Sequence, residues 1–312
     1  MWQWGLQWIW LKKSEISNNM DAKIALLVIY NHRFDKNIKR VQELYSKKFS
    51  YIYHIVPFYD GKIDGVDVIP VYESSYYFQG YISQAYQHLK NKGFTHYFII
   101  ADDLIVNPLI DESNIWEKIG AEKDECFMVS RPDIFQKPRR YWDSVWDAMT
   151  YKRKKKGVEI LNILPTKEEA EVKFKQHSFP VGKVPCKAFL SKQWRAWVRF
   201  FQKIPWSRTL DYPLIGCYSD TFMVTDNVME KFCTYCGAFA ATDLFVEVAV
   251  PTSLALSTEK LKFDDDLKLH DGALWPDTIH ELDKYNFNLQ YLLDNFPHDK
   301  FFIHPVKLSK WK

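Results

Sequence analysis

Short apolar runs alternate with helix-like stretches through the first third of the chain, and this alternation limits the possible folds more than any other feature. Residues 23–31 (KIALLVIYN), 51–61 (YIYHIVPFYDG) and 66–72 (VDVIPVY) have strand character. Between them, apolar side chains recur at the spacing of amphipathic helices. Strands that alternate with helices build a mostly parallel sheet. The sequence therefore predicts an α/β protein whose mostly parallel sheet is flanked by helices.

The next strand ends in two adjacent acids. Residues 97–101 (YFIIA) form a short apolar run, and Asp102 and Asp103 follow it directly. In open α/β sheets the ligand crevice lies at the carboxyl ends of the strands, so these acids stand where a site is expected. Carboxylate oxygens in such a place suit Mg²⁺ or Mn²⁺ that carries substrate phosphates. The competing interpretation is a polar loop with no ligand.

Composition excludes some classes of protein. The chain has 312 residues, 47% of them apolar and 26% charged, which is ordinary for a globular protein. A net charge of +3 gives no reason to expect a nucleic acid partner. Five cysteines, an odd number, indicate reduced thiols and a cytoplasmic location. Aromatic residues make up 17% of the chain, and exposed rings suit the faces of sugars and membrane interfaces.

The predicted organisation is a leader followed by one catalytic domain. Residues 1–19 are Trp-rich and are expected to be upstream sequence, with an interfacial membrane anchor as the alternative. The domain, residues 20–312, has three parts: a nucleotide-sugar-binding half (20–130), a polar helical insertion or lid (131–185), and an acceptor half with the C-terminal segment (186–312).

A basic run at residues 152–156 (KRKKK) lies inside the insertion. It is a candidate contact for the diphosphate of a lipid-linked acceptor or for anionic lipid. The alternative is a solvated face of a helix.

Two further acids stand in an apolar stretch near residue 245. Thr242 or Asp243 is expected to cap a helix, and Asp243 and Glu247, four residues apart, would then share one face. An acid enclosed by apolar side chains must be paired, raised in pKa or open to a cleft. The capping interpretation accounts for Asp243 but not for Glu247.

Six segments together resemble a GT-A-type glycosyltransferase of the bacterial polysaccharide or lipopolysaccharide kind. They are VIYNHR, VPFYDG, the strand end ADD, YSDTFMV, FAATDLFVEVAVPT and, near the C-terminus, FIHPVKLSKW. The resemblance covers residues 20–312 apart from the insertion. Many such enzymes end the strand in Asp-x-Asp, whereas Ala101 stands here at the first position.

The resemblance implies roles for particular residues. It implies a divalent metal, Mn²⁺ or Mg²⁺, held by Asp103 and His304. It assigns contacts with the nucleotide-sugar donor to five further residues, namely Asn31, Arg33, Asp60, Asp102 and Lys307, the last of these at the diphosphate. Asp243 resembles the catalytic base of inverting members, and Glu247 is the alternate. If the mechanism is retaining, the donor phosphate itself can accept the proton.

The function implied by the resemblance is transfer of a sugar, of the hexosyltransferase type, in polysaccharide biosynthesis. The donor is a nucleotide-diphosphate sugar and the acceptor a glycan or a lipid-linked glycan. The expected location is the cytoplasm, with peripheral contact at the inner membrane face through residues 152–156. A sugar-nucleotide nucleotidyltransferase is one alternative, although YNHRFDKN after the first strand has no glycine for a phosphate loop. A non-catalytic carbohydrate-binding or assembly protein is the other.

Overall fold

A mixed seven-stranded sheet lies between two layers of helices, and a two-stranded sheet packs beside it. The computed structural model describes the following parts of the chain: residues 22–31, 35–130, 143–148, 151–153, 157–179, 181, 210–263 and 269–312. The predicted α/β class and the mostly parallel sheet flanked by helices are confirmed.

The strands follow the order β3-β2-β1-β4-β7-β6-β8, with β5 and β9 in the small sheet. Their bounds are β1 Ile24–Ile29, β2 Tyr51–Pro57, β3 Asp67–Val71, β4 His96–Ala101, β5 Ile105–Val106, β6 Cys126–Met128, β7 Thr221–Thr225, β8 Leu261–Phe263 and β9 Phe302–Ile303. The first four strands are parallel, and β7 is antiparallel to both β4 and β6. Consequently β1, β2 and β4 end, and β7 begins, at one edge of the sheet, called here the carboxyl edge.

Helices cover both faces of the sheet. The α-helices of the described residues are α1 Asp35–Tyr45, α2 Gln79–Leu89, α3 Ile115–Ile119, α4 Asp143–Ala148, α5 Val158–Ile163, α6 Lys167–Gln176, α7 Asp226–Ala240, α8 Val246–Ser257 and α9 Leu289–Asp294. Short 3₁₀ helices span Ser75–Tyr77, Ile279–Tyr285 and Leu308–Lys310. Local sequence explains some boundaries: the Thr166 hydroxyl accepts from the backbone of Glu169, whose carboxylate accepts in return from the Thr166 backbone, and this capping box starts α6.

Strand β1, in the interior of the sheet, shows why the sheet needs both layers. All six residues of β1 are buried. Ala25, Leu27 and Ile29 face the core under α2, α7 and α8, whereas the alternate residues face the core under α1, α3 and the C-terminal segment. A strand buried on both faces is a continuous apolar run without alternation, which is the pattern in the sequence.

The described parts of the insertion are helical and pack onto the main core. Side chains of α4, α5 and α6, among them Val145, Ile160 and Phe174, belong to the same apolar cluster as α7 and α8. The segment was expected to be too polar to bury a core of its own, and its few apolar side chains instead complete the core of the sheet.

The basic run at 152–156 lies only partly within the described residues, because residues 154–156 fall outside them. Arg153 donates from Nη2 to the carbonyl oxygens of Leu161 and Leu164, at 2.7 Å each. These carbonyls end α5, so Arg153 stabilises a helix terminus, which favours the structural interpretation for this residue. The leader at residues 1–19 and Arg33 also lie outside the described residues.

Candidate functional site

Acidic side chains gather at the carboxyl edge, where three segments meet. The backbone N–H of Asp102 donates to the carbonyl oxygen of Ile29 at the end of β1, at 2.9 Å. The N–H of Ala101 donates to the carbonyl oxygen of Asp220 just before β7, also at 2.9 Å. Because β4 and β7 are antiparallel neighbours, the residues after β4 lie beside the residues before β7.

The first acid of the pair, Asp102, points inward. Its side chain is only 3% exposed and is hydrogen-bonded to Asn37 of α1. Burial, together with the charge on Asp103, raises the pKa of Asp102 to about 8. The role expected for Asp102, a contact with the donor, required a side chain open to the crevice. The position is instead buried, because a tight turn after β4 sends adjacent side chains in opposite directions.

The second acid, Asp103, points outward and meets His304. Nε2 of His304 lies 3.1 Å from Oδ1 of Asp103, and the two side chains keep 19% and 18% of their surface exposed. Burial acts to raise the pKa of Asp103, but the hydrogen bond and charge of His304 outweigh it, so that the pKa is lowered. Burial likewise opposes protonation of His304, but the hydrogen bond to Asp103 and the charges of Asp220, Asp103 and Asp102 together outweigh it, so the pKa of His304 is raised. The pair is thus polarised and accessible.

His304 reaches the site because the C-terminal residues 300–312, called here the C-terminal strap, pair with the segment after β4. Strand β9 is antiparallel to β5, and the N–H of Val306 donates to the carbonyl oxygen of Asp103 at 2.6 Å. Gly272 packs against this strap, and a Cβ there would overlap the carbonyl oxygen of Phe302. Only glycine allows that backbone approach.

Arg40 fastens the far end of the strap to α1. Its Nη1 donates to the carbonyl oxygens of Leu308 and Trp311, the latter at 2.8 Å. A guanidinium that donates hydrogen bonds to two carbonyl oxygens of one turn fixes both the position and the orientation of that turn. Lys307 lies in the stretch between this clamp and His304, it is exposed, and its charge contributes to the low pKa of Asp103.

Tyr218 and Asp220 form the opposite wall of the site. The Tyr218 ring stacks on Phe302 with centroids 5.6 Å apart and meets the His304 ring edge-on at 5.8 Å. Burial raises the pKa of Tyr218 well above its ordinary value, and the charges of Asp220, Asp103 and Asp271 add to the increase. Burial also raises the pKa of Asp220, which His304 partly offsets.

Tyr218 and Asp271 were not among the residues predicted for this site. Asp271 lies in a loop, with its carbonyl oxygen bound by Lys300 Nζ at 2.8 Å. Tyr218 stands two residues before Asp220, in a segment that carries no periodic pattern. The proximity of a buried tyrosine to several acids is a tertiary property that local sequence does not show.

Glu247 lies in the first turn of α8 and faces the same acids. Its carbonyl oxygen accepts from the N–H of Cys217 at 3.0 Å, which binds α8 to the segment that carries Asp220. The side chain is half-buried, and burial, with the charge on Asp220 second, raises the pKa of Glu247 to about 8. An acid placed so that its pKa lies near neutrality is a candidate for proton transfer.

Asp243 lies apart from this group. Helix α8 begins at Val246 with Phe245 at its N-cap and without a side-chain cap, so the predicted cap by Thr242 or Asp243 is wrong. Asp243 has a left-handed backbone (φ 56°) and an exposed side chain, and it does not share a helical face with Glu247. The tight turn between α7 and α8 requires one left-handed residue, and aspartate tolerates that conformation.

The remaining donor contacts expected from the resemblance lie along the same edge. Asn31 follows β1 and Asp60 follows β2, and both are exposed. An open depression of about 490 Å³ lies in the loop between β2 and β3, lined by Tyr59 and residues 61–68. Its lining does not include the acids around Asp103, so this depression and the acid group are separate features.

Asp103 and His304 are the described side chains of this site that could contribute ligands to a divalent ion. Among the described residues, no group of three or more His, Cys, Asp or Glu side chains is arranged to hold a metal. Asp103 and His304 nonetheless supply an oxygen and an imidazole nitrogen side by side, which are donor types that Mn²⁺ accepts. One or two protein ligands completed by substrate phosphates is a common arrangement for such ions.

Comparison with known proteins finds no match to any protein-family model and no significant match to a curated protein. Over the part of the chain described above, none of the helices combines the length and the apolar character needed to cross a membrane.

Proposed function

We propose that the protein is a glycosyltransferase that moves a sugar from a nucleotide-diphosphate sugar to a glycan or lipid-linked acceptor. The observation that carries this proposal is the meeting of Asp103 with His304 and Lys307 at the carboxyl edge of an α/β sheet, beside Asp220 and Glu247. A mostly parallel sheet with one antiparallel strand at its centre is compatible with a GT-A-like fold. Cationic and acidic groups side by side suit a reaction that separates charge.

The cationic side of the site suits the departing diphosphate. Cleavage of the glycosidic phosphate bond leaves positive charge on the anomeric carbon and negative charge on the diphosphate. Lys307 is exposed at the crevice, and His304 carries more positive charge near neutrality than a free histidine because its pKa is raised. A divalent ion held by Asp103 and unprotonated His304 would supply that stabilisation in place of the imidazolium when bound, because a histidine that ligates a metal must lose its proton.

The acidic side suits proton removal from the acceptor. We propose Glu247 rather than Asp243 as the base, because Glu247 is half-buried near Asp220, whereas Asp243 is exposed on the turn between α7 and α8. A pKa of about 8 lies close to physiological pH, where general base catalysis is most effective. This assignment implies an inverting mechanism; if the donor phosphate accepts the proton instead, the mechanism is retaining.

The two alternative functions differ from this one in measurable ways. A sugar-nucleotide nucleotidyltransferase would form a nucleotide sugar from a nucleoside triphosphate and a sugar phosphate. A carbohydrate-binding protein would bind glycans without hydrolysing or transferring any donor. Incubation with UDP-, GDP-, ADP- and dTDP-sugars, assayed for free nucleoside diphosphate, identifies a glycosyltransferase. Incubation with nucleoside triphosphates and sugar phosphates, assayed for pyrophosphate, distinguishes a nucleotidyltransferase from a binding protein.

The decisive first experiment is a thermal-shift screen of nucleoside diphosphates with and without Mn²⁺, because ligands of the folded state raise its stability. We expect at least one nucleoside diphosphate to stabilise the wild-type protein, and Asp103→Asn to abolish that effect. An exposed acid remote from the site provides the control, Glu281→Gln. Stabilisation that is equal in wild type and Asp103→Asn would contradict the proposed site.

A further inference from the structure

A group of aromatic rings stands exposed at the carboxyl edge, to one side of the acids. Phe58, Tyr72 and Tyr76 are 61%, 66% and 60% exposed. The Phe58 and Tyr72 rings meet edge-on with centroids 5.9 Å apart, and the Tyr76 ring lies 6.3 Å from that of Phe245, which is buried. These four residues are called here the aromatic ledge.

Packing does not explain the ledge. Phe58 follows β2 directly and has a left-handed backbone (φ 51°), a conformation that is unfavourable for a bulky residue. Its side chain recovers little of that cost by burial, since more than half of it remains in contact with water. Strained backbone combined with exposed apolar surface is typical of binding surfaces.

The ledge adjoins the candidate base. Tyr72 follows the end of β3, and Tyr76 lies in the 3₁₀ helix that leads into α2, so both stand at the carboxyl edge. Phe245 is the N-cap residue of α8, and Glu247 lies two residues further on, in the first turn of that helix. Tyr76 therefore borders the start of the helix that carries Glu247.

Among the described residues, carboxylates lie next to the ledge at Tyr77, the neighbour of Tyr76 in the chain. Tyr77 lies beside Asp243, Glu73 and Asp147, whose charges add to the effect of burial in raising the pKa of its hydroxyl. Such surroundings repel phosphates and anionic lipid headgroups. Carboxylates do accept hydrogen bonds from sugar hydroxyls, and ring faces cover the apolar C–H faces of pyranoses.

We propose that the aromatic ledge binds an uncharged glycan by its ring faces, with the neighbouring carboxylates accepting from its hydroxyls, and that this glycan is the acceptor. The final clause rests on the proposed function, whereas binding of a glycan to the ledge does not. The donor diphosphate is placed at Asp103 and the C-terminal strap, which are not part of the ledge.

Saturation-transfer NMR and titration with methyl β-D-glucopyranoside, methyl β-D-galactopyranoside, methyl α-D-mannopyranoside and cellotetraose test this inference. We expect at least one of these to bind, and Tyr72→Ala and Tyr76→Ala each to raise its dissociation constant fivefold or more. Tyr72→Phe and Tyr76→Phe keep the ring face and should remain within twofold of wild type. Tyr291→Ala removes another tyrosine, 48% exposed and outside the ledge, and should change nothing.

Three results would overturn the inference. The first is that the wild-type protein binds none of the four sugars. The second is that the double variant Tyr72→Ala/Tyr76→Ala binds sugar as well as wild type does. The third is that the double variant loses adsorption to phosphatidylcholine or phosphatidylglycerol vesicles and not sugar binding. Nucleoside diphosphate binding, measured on the same variants, should be unaffected. If the protein binds a glycan but no nucleotide, the glycan site at the ledge is supported and the proposed glycosyltransferase function is rejected.

Discussion

Replacement of Glu247 by glutamine should make the protein more stable at neutral pH. The side chain is half-buried, and its pKa of about 8 in the folded protein compares with an ordinary value of 4.5. Unfolding at pH 7 therefore releases a proton from Glu247, and the negative charge gains full hydration in the unfolded chain. Glutamine keeps the size of the protonated acid and removes this advantage of the unfolded state.

The size of the effect follows from the two pKa values. From pH 4.5 to pH 7 the unfolded glutamate gives up its proton while the folded one largely keeps it, which corresponds to roughly 3 kcal/mol at 1.36 kcal/mol per pH unit. Because Glu247 retains some contact with solvent, we expect a gain of about 1 to 3 kcal/mol. Below pH 4.5 the two proteins should have the same free energy of unfolding. As the pH rises from 4.5 to about 8, the free energy of unfolding of wild type should fall below that of Glu247→Gln.

Urea unfolding of wild type and Glu247→Gln at pH 4, 5.5, 7 and 8 measures this difference directly. Glu281→Gln, an exposed glutamate on a 3₁₀ helix, is the matched control and should track wild type at every pH. A difference between wild type and Glu247→Gln that stays constant or reverses with pH would refute the buried-charge reasoning.

The same variant also tests the proposed chemistry. If Glu247 is the base, Glu247→Gln should lower the transfer rate by roughly a hundredfold or more while donor binding persists. The wild-type rate should rise as the pH increases through about 8, since the base must lose its proton. If Glu247→Gln is more stable than wild type and fully active, Glu247 has a raised pKa but is not the base.

Three further outcomes are expected. Asp103→Asn should lose Mn²⁺-dependent nucleotide binding with an unchanged circular dichroism spectrum, because a polar side chain at a strand end contributes charge rather than packing; retained binding would contradict its role. Asp243→Asn should transfer sugar at close to the wild-type rate, since asparagine also adopts the left-handed backbone found there, whereas a hundredfold loss would restore Asp243 as the base. Arg40→Gln should release the carbonyls of Leu308 and Trp311, speeding hydrogen exchange of the C-terminal strap and weakening nucleotide binding, with Arg40→Lys intermediate; unchanged exchange would show that the clamp is dispensable.

Local sequence was sufficient for the strands and for the presence of acids at the carboxyl edge. The runs at residues 23–31 and 97–101 contain β1 and β4, because a strand buried on both faces is apolar throughout. Asp102 and Asp103 stand beyond β4 as expected. The sequence could not show that one points inward and the other outward, since that depends on α1 and on the strap.

The turn between α7 and α8 shows where periodicity fails. Asp243 and Glu247 have helical spacing, yet the helix starts at Val246. The chain has to reverse between α7 and α8, so a left-handed residue is needed at Asp243, and that demand comes from packing of α7 and α8 against the sheet rather than from local preference. The same packing brings Glu247 to Asp220.

The fold class and the kinds of side chain at one edge of the sheet follow from the sequence alone, because apolar periodicity and strand ends are local properties. Which of those side chains meet depends on the tertiary structure. His304 lies about two hundred residues along the chain from Asp103, and β9 pairs with β5 to place its imidazole 3.1 Å from that carboxylate. Tyr218 completes the wall by stacking on Phe302. Long-range pairing and burial set these contacts and the shifted pKa values, and neither leaves a signature in local sequence.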